Sequence, residues 1–384
     1  MDLPGLMTSL GMVFVAMYII KYACDSFEGA SEHLGTKVYR MKPGVRGATI
    51  EAIASSLPEL FTTLCLLFIY NDQDGFSAGI ATCAGSAVFN AAVIPAVCIL
   101  AVTIKGVNGS KVNTINLLKS TIIRDGFFFI LAEIALIYFL GNTTLSWWMG
   151  ASLIGIYLVY FIFLMRGIGS EEDDDDEGDE GDEGDEEEGR GFLGALVTFD
   201  YNQLIFKGGD FSAGSAWTVL ILATSTIGAA CYLLAEAVMG SAAALNVPAY
   251  FTAVILGAAA TSVPDTVISV KDALKGDYDD AVSNAVGSNI FDICVALGLP
   301  LMIYGLVNGD VSLTGSDSGS DVQILRLVLI FVTVLILGVF LTGTPSKNDD
   351  GDSVVGVGKS RGYILLSFYV FWTIYIVYSS MGHL

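Results

Sequence analysis

Ten stretches of the chain are apolar over lengths near the roughly 20 residues that cross a bilayer. They are about 6–25, 47–70, 76–104, 120–140, 146–166, 213–239, 248–273, 280–306, 323–343 and 361–381. The pattern predicts ten membrane helices, five on each side of a hydrophilic stretch at 167–212. The second, third, seventh and eighth stand apart, because Ser, Thr, Asn, Glu, Asp, Gly and Pro interrupt their apolar runs. The others read as ordinary lipid-facing or packing helices. The fold class expected is an all-α membrane protein.

Charge adds orientation. With the N-terminus outside, Lys37, Arg40, Lys42 and Arg46 fall in the first inner loop, and Lys105, Lys111, Lys119 and Arg124 in or beside the second. Arg166, Arg190, Lys207, Lys271, Lys275, Lys347, Lys359 and Arg361 also fall inside, and Arg326 falls outside. This positive-inside bias predicts external termini and a cytosolic 167–212 segment, in the plasma membrane. Asn142-Thr143-Thr144 then faces outward as a glycosylation acceptor.

Composition agrees. The mean hydropathy is +0.65, and only 15% of residues are charged, against about 25% in soluble domains. The net charge of −22 comes mostly from 15 carboxylates between Glu171 and Glu188. A Gly-interrupted acidic block reads as a solvated linker, and it lacks the EF-hand pattern of a tight Ca²⁺ sensor. The net acidity argues against nucleic acid as a partner. Two histidines, His33 and His383, and six cysteines without metal spacing make a His or Cys metal site unexpected. The cysteines read as small buried hydrophobes. The acidic start at Asp2 and the long apolar run from Leu6 do not resemble a cleavable leader.

The two halves repeat. Ala52-Ile-Ala-Ser-Ser-Leu-Pro-Glu59 parallels Ala258-Ala-Ala-Thr-Ser-Val-Pro-Asp265, and Gly85-Ser-Ala-Val-Phe-Asn90 parallels Gly287-Ser-Asn-Ile-Phe-Asp292. Ala23-Cys24-Asp25 matches Leu234-Ala235-Glu236 more faintly. Five spans per copy make the repeats inverted. The organisation expected is residues 1–166 as a first five-helix repeat with its motif at about 47–95, then the linker 167–212, then 213–384 with its motif at about 253–300.

The motifs carry chemistry. Glu59 and Asp265 sit mid-span, where a lone carboxylate is costly. Each follows a proline, which has no N–H and frees the carbonyl four residues earlier, so both helices 2 and 7 are expected to break. Ser55, Ser56 and Glu59 share one helical face, as do Thr261, Ser262 and Asp265. On the paired helices 3 and 8, Ser86 and Asn90, and Ser288 and Asp292, are spaced i,i+4. Oxygen donors without imidazole or thiolate suit hard cations such as Ca²⁺ and Na⁺. Such hydroxyls also serve as packing or backbone-bonding groups, the role expected for Glu51, Glu133, Asp25 and Glu236.

These motifs resemble the repeats of the cation/calcium antiporter superfamily. In particular they resemble the sodium/calcium exchangers, and Ser-Val-Pro-Asp-Thr (262–266), Gly-Ser-Ala-Val-Phe-Asn (85–90) and Gly-Ser-Asn-Ile-Phe-Asp (287–292) look most like the potassium-dependent branch. The resemblance implies an antiporter, not an enzyme, that exchanges Na⁺ for Ca²⁺ by alternating access, with K⁺ as a further transported ion and no cofactor. Glu59 and Asp265 would be central ligands, with Ser56, Ser86, Ser262 and Ser288 supplying hydroxyls. Ala52 and Ala258 would supply carbonyls, Ser55 and Thr261 further oxygens, and Asn90 and Asp292 flanking positions. The partners implied are the transported cations and the bilayer, without an obligate protein. The alternatives are a proton/calcium antiporter, whose relatives carry Gly-Asn-x-x-Glu absent here, and a cation channel or Ca²⁺-sensing membrane protein. Gly208-Gly209-Asp210-Phe211 suggests a cyclase signature but has no soluble domain around it. Asp265 and Asp292 lack intramembrane aspartyl-protease contexts.

Overall fold

Asp2 opens the first helix, α1 (Leu3–His33), by accepting a hydrogen bond from the Gly5 N–H at 3.2 Å, with Pro4 in the first turn where no N–H is needed. The structure, a computed structural model, describes residues 2–39, 52–70, 73–107, 110–168, 192–209, 211–312, 317–347 and 351–381. The acidic run Glu171–Glu188, together with Arg40, Lys42, Arg46, Glu51, Arg190 and His383, lies outside the described residues.

Helices follow as α2 (Ala52–Phe68), α3 (Gln73–Lys105), α4 (Lys119–Leu140) and α5 (Trp147–Ile168). Two short ones, α6 (Phe192–Val197) and α7 (Tyr201–Phe206), precede α8 (Ala213–Leu245). A reciprocal Ser212–Ser215 capping box starts α8, and Asn246 in the left-handed region ends it. The seventh stretch is α9 (Ala249–Thr252), a π-helical turn at Ala253–Gly257, α10 (Ala258–Thr261) and α11 (Val263–Lys275). The eighth is α12 (Tyr278–Phe291), a π turn at Asp292–Leu297 and α13 (Gly298–Asn308). Then come α14 (Asp317–Leu341) and α15 (Lys359–Met381).

Each of the ten apolar stretches contains helix among the described residues. Among the described residues, six helices are long and apolar enough to cross a membrane, or seven when the bent pair α9–α11 is one span. Ile53–Phe68 and Leu329–Leu341 are shorter apolar helices, and α4 carries Arg124, Asp125 and Glu133.

The all-α expectation needs correction. The protein is mostly helical but has two small antiparallel sheets. Strand β1 (Thr114–Leu118) pairs with β5 (Ser353–Gly358), which also pairs with β4 (Thr344–Lys347). At another loop cluster β2 (Thr144–Leu145) pairs with β3 (Val311–Ser312). Burial of Ile115, Leu117, Val355 and Val357 explains the larger sheet, since alternate side chains of β1 turn inward.

The core sits on α3 and on α12–α13, which are buried over most of their length, whereas α1, α5 and α15 present most of their surface outward. Helices α1 and α8 pack along one another. Gly85 sets a close crossing, because a Cβ there would overlap the Val254 carbonyl oxygen and lie 2.8 Å from the Ala258 Cβ. Within 167–212, Phe192–Phe206 is largely helical and rests on α1 and α8.

Candidate cation site

Four structural pieces meet at one buried point. Helix α2 carries Ser55, Ser56 and Glu59, and α3 carries Ser86 and Asn90. The bend at Ser262 presents Thr261, Ser262 and Asp265, and the end of α12 presents Ser288 and Asp292. All ten side chains are fully buried.

The two repeats use proline differently. In the second, the helix axis turns by 42° between Ala249–Thr261 and Val263–Lys275. Ser262 (φ −80°, ψ 4°) leaves the helix, and Pro264 falls in the first turn of α11. Asp265 lies in that same first turn, where the helix dipole favours a negative charge. In the first repeat the expected break is corrected: α2 runs through Pro58 without interruption. Missing one N–H still leaves the Ala54 carbonyl without its usual partner.

Hydrogen bonds cross between the repeats. The Ser86 Oγ lies 3.2 Å from Glu59 Oε1, 2.8 Å from Asp292 Oδ2 and 2.9 Å from Ser262 Oγ. Asn90 Nδ2 donates to Asp265 Oδ2 at 3.2 Å and to Ser86 Oγ at 3.3 Å. Ser288 Oγ donates to Asp265 Oδ1 at 2.9 Å. Ser55 of the first repeat also reaches Asp265 of the second, while Thr261 of the second reaches Glu59 of the first. The Thr261 hydroxyl also lies 3.1 Å from the Gly257 carbonyl and 3.2 Å from the Ala258 carbonyl, and its single proton cannot serve these and Glu59 at once.

The arrangement is short of donors. A hydroxyl has one proton, yet Ser86 touches two carboxyl groups. Glu59 Oε2, Asp292 Oδ1, Asn90 Oδ1 and Ser56 Oγ are buried without a hydrogen-bond partner. Among the described residues no Lys or Arg pairs with the three acids, and no three acidic, thiol or imidazole groups converge tightly enough to chelate an ion by themselves. Orphaned buried oxygens carry a desolvation penalty, and a hard cation held by carboxylate, hydroxyl and amide oxygens removes it.

Not every expected ligand is equally free. The Ala258 carbonyl already accepts from the Ser262 N–H at 3.1 Å and from the Thr261 hydroxyl at 3.2 Å. Ala52 is the first residue of α2, and its side chain lies outside what is described. The sequence reading missed two features. One is Asn289, buried, whose Nδ2 donates to the Ala87 carbonyl at 3.1 Å. It stood in the repeated motif, opposite an alanine that gave no contrast. The other is the π turn that starts at Asp292 and shifts it relative to a regular helix, a common feature of functional helices. Glu133, expected as a helix-contact group, accepts from Thr333 at 2.6 Å. Asp25 pairs with Lys21 at 2.8 Å. All six cysteines are free thiols, five of them buried.

A mostly helical membrane protein with a cluster of buried oxygens where two sequence repeats meet has the make-up of a membrane transporter rather than an enzyme. The sequence pattern of the family described as "sodium/calcium exchanger protein" matches residues 8–166 and 215–378, and the chain belongs to that family. Curated relatives include sodium/potassium/calcium exchanger 3 of Rattus norvegicus, 33% identical over 155 residues, which is 40% of this chain and 23% of the relative. Sodium/potassium/calcium exchanger 1 of Bos taurus is 49% identical over 77 residues, 20% of this chain and 6% of the relative. The matched region thus spans under a quarter of these relatives' length. Among solved structures, the sodium-calcium exchanger NCX_Mj, soaked with 10 mM Na⁺ and 10 mM Sr²⁺, aligns with a TM-score of 0.55 at 19% identity, covering 95% of this chain and 97% of that one. An H⁺/Ca²⁺ exchanger, CAX, aligns with a TM-score of 0.59 at 12% identity, covering 98% and 89%. These likenesses establish a shared fold.

Proposed function

We propose that the protein is a Na⁺/Ca²⁺ antiporter that moves K⁺ together with Ca²⁺. The observation that carries the reading is the buried cluster of Glu59, Asp265 and Asp292, with unpartnered oxygens on Glu59, Asp292, Asn90 and Ser56. Three buried acids with no cationic partner among the described residues need a metal ion or protons to be stable. Ca²⁺ and Na⁺ compete for the same carboxylates, and that competition couples their fluxes. Ser56, Ser86, Ser262 and Ser288 complete the ligand set, with Ser55, Thr261 and the Ala52 and Ala258 carbonyls further out. Ala258 would have to release a hydrogen bond to take part.

Ten spans in two inverted halves, residues 1–166 and 213–384 with 167–212 between them, provide the alternating access. The sheet pairings support this. Pairing β1 with β5 puts the loops after α3 and α14 at one end, and β2 with β3 puts the loops after α4 and α13 at the other. The positive-inside bias makes the first end cytosolic, in the plasma membrane. K⁺ belongs beside Asp292, because Ca²⁺ on three ionised acids leaves one negative charge. The names of the sodium/potassium/calcium exchanger relatives support that assignment.

The test is Ca²⁺ flux into proteoliposomes under separately imposed Na⁺, K⁺ and pH gradients. An outward Na⁺ gradient drives uptake in this reading. Flux driven by a pH gradient alone would make it a proton/calcium antiporter, and uncoupled dissipation would make it a channel. Glu59→Gln keeps the shape and removes the charge. It costs about 3–5 kcal/mol of cation binding, so exchange collapses while the protein still inserts.

A further inference from the structure

The segment between the acidic run and α8 is built for a non-aqueous setting. Helix α6 turns Ala195 onto the protein and leaves Phe192, Leu193, Leu196 and Val197 more than half exposed. Hydroxyls of α1 hold its end and the turn that follows. Tyr18 Oη of α1 donates to the Val197 carbonyl at 3.2 Å, and Ser26 Oγ of α1 donates to the Phe199 carbonyl at 2.7 Å. Helix-end carbonyls need partners, and protein hydroxyls are required where water is absent. Phe199, with φ of 50°, turns the chain sharply. Asp200 then caps α7, and Tyr201 bonds Thr226 of α8. Phe206 and Phe211 close over Leu34, Val219 and Leu220.

Depth follows from the helix rise. The Lys21–Asp25 pair marks where α1 first becomes charged. Tyr18 stands three residues before Lys21, about 4.5 Å further into the apolar part of α1 at 1.5 Å per residue. Tyr18 also belongs to an exposed apolar strip with Phe14 and Val15, so the bare face of α6 continues the lipid-facing surface of α1. In sequence the segment is flanked by Arg190 and Lys207, and Lys207 is exposed. An apolar face about 5–10 Å deep with basic residues at its edge is the pattern of an interfacial membrane helix.

We infer that residues 192–199 are a wedge embedded among the acyl chains of the leaflet that carries the linker, held on α1 by Tyr18 and Ser26 and joined through α7 to α8. In the orientation proposed above, that leaflet is the cytosolic one. The wedge ties the chain that follows the acidic run to α1 and α8, with lipid as the partner of its exposed face.

The experiment uses the full chain in phosphatidylcholine vesicles with Cys65→Ala, the one cysteine that is not buried. A bimane probe is placed on Leu193→Cys or on Lys207→Cys. A lipid-embedded Leu193 probe is quenched by shallow doxyl-phosphatidylcholine and is several-fold less quenched by aqueous iodide than the Lys207 probe. Iodide quenching at Leu193 equal to that at Lys207, or absence of quenching by doxyl lipid, would overturn the wedge. Because depth is read without any ion flux, failure here is distinct from failure of the antiport reading.

Discussion

Ser86 and Asp292 stand 206 positions apart, and the Ser86 hydroxyl lies 2.8 Å from Asp292 Oδ2. The same oxygen is 3.2 Å from Glu59 Oε1. One small side chain of the first repeat thus joins an acid of each repeat, and any ion between those acids meets it.

Ser86→Ala is therefore expected to weaken Ca²⁺ transport without unfolding the protein. Hydrogen bonds to charged groups contribute about 1.5–3 kcal/mol, which corresponds to roughly a tenfold to hundredfold loss of apparent affinity. Na⁺-driven Ca²⁺ uptake measured over a range of Ca²⁺ concentrations checks this. Unchanged half-saturation would remove Ser86 from the site.

The helix crossing gives an asymmetric prediction. At Gly85 a methyl group overlaps the Val254 carbonyl and approaches the Ala258 Cβ at 2.8 Å, whereas at Gly287 the nearest atom is the Tyr160 hydroxyl at 3.7 Å. Overpacking costs about 1–3 kcal/mol and displaces the bend at Ser262. Gly85→Ala is expected to lower thermal stability in detergent and abolish exchange, with Gly287→Ala close to wild type. Equal behaviour of the two variants would contradict the crossing.

Glu133 and Thr333 form a second buried polar pair, at 2.6 Å, with Glu133 Oε2 unpartnered. Thr333→Val leaves the carboxyl without a donor and is expected to cost about 1–3 kcal/mol. Adding Glu133→Leu removes the polar group as well and should recover much of the loss. Melting temperatures of the three proteins test the pair, while Ca²⁺ exchange persists in the double variant.

Asp292 occupies the motif position that Asn90 holds in the first repeat, one acid against one amide. If K⁺ balances the remaining charge there, K⁺ stimulates wild-type Ca²⁺ flux, and Asp292→Asn retains Na⁺/Ca²⁺ exchange but loses the stimulation. Replacing K⁺ with choline at matched membrane potential is the measurement. Equal wild-type flux in the two salts would remove K⁺ from the mechanism.

The acids of the cluster were legible because mid-membrane carboxylates are rare and repeat in register with Pro58 and Pro264. What escaped depends on geometry between distant residues. The Asn289–Ala87 bond links corresponding motif positions, and nothing in either motif alone says that they meet. The π turn at Asp292 is a backbone adjustment without a residue signature. Strands β1 and β5 are too short to stand alone, and pairing across 240 residues supplies their partners. Pro58 and Pro264 sit in matching sequence, yet only the second accompanies a bend. Proline removes a hydrogen bond in both places, and the surrounding packing decides whether the axis turns. Helix α6 reads as the edge of a hydrophilic linker because its apolar face is only six residues long.

The strand pairings bear on how the molecule is assembled. Strand β1 belongs to the first half and β4–β5 to the second, while β2–β3 ties the halves again at a separate loop cluster. A slip of one residue would turn the buried Ile115 and Leu117 outward, so the larger pairing also fixes the register between halves. The halves are stitched by backbone hydrogen bonds at two places, and the covalent connection is one tie among several. Two separately translated polypeptides, 1–168 and 192–384, are thus equipped to find each other in the bilayer and reconstitute a working exchanger by fragment complementation.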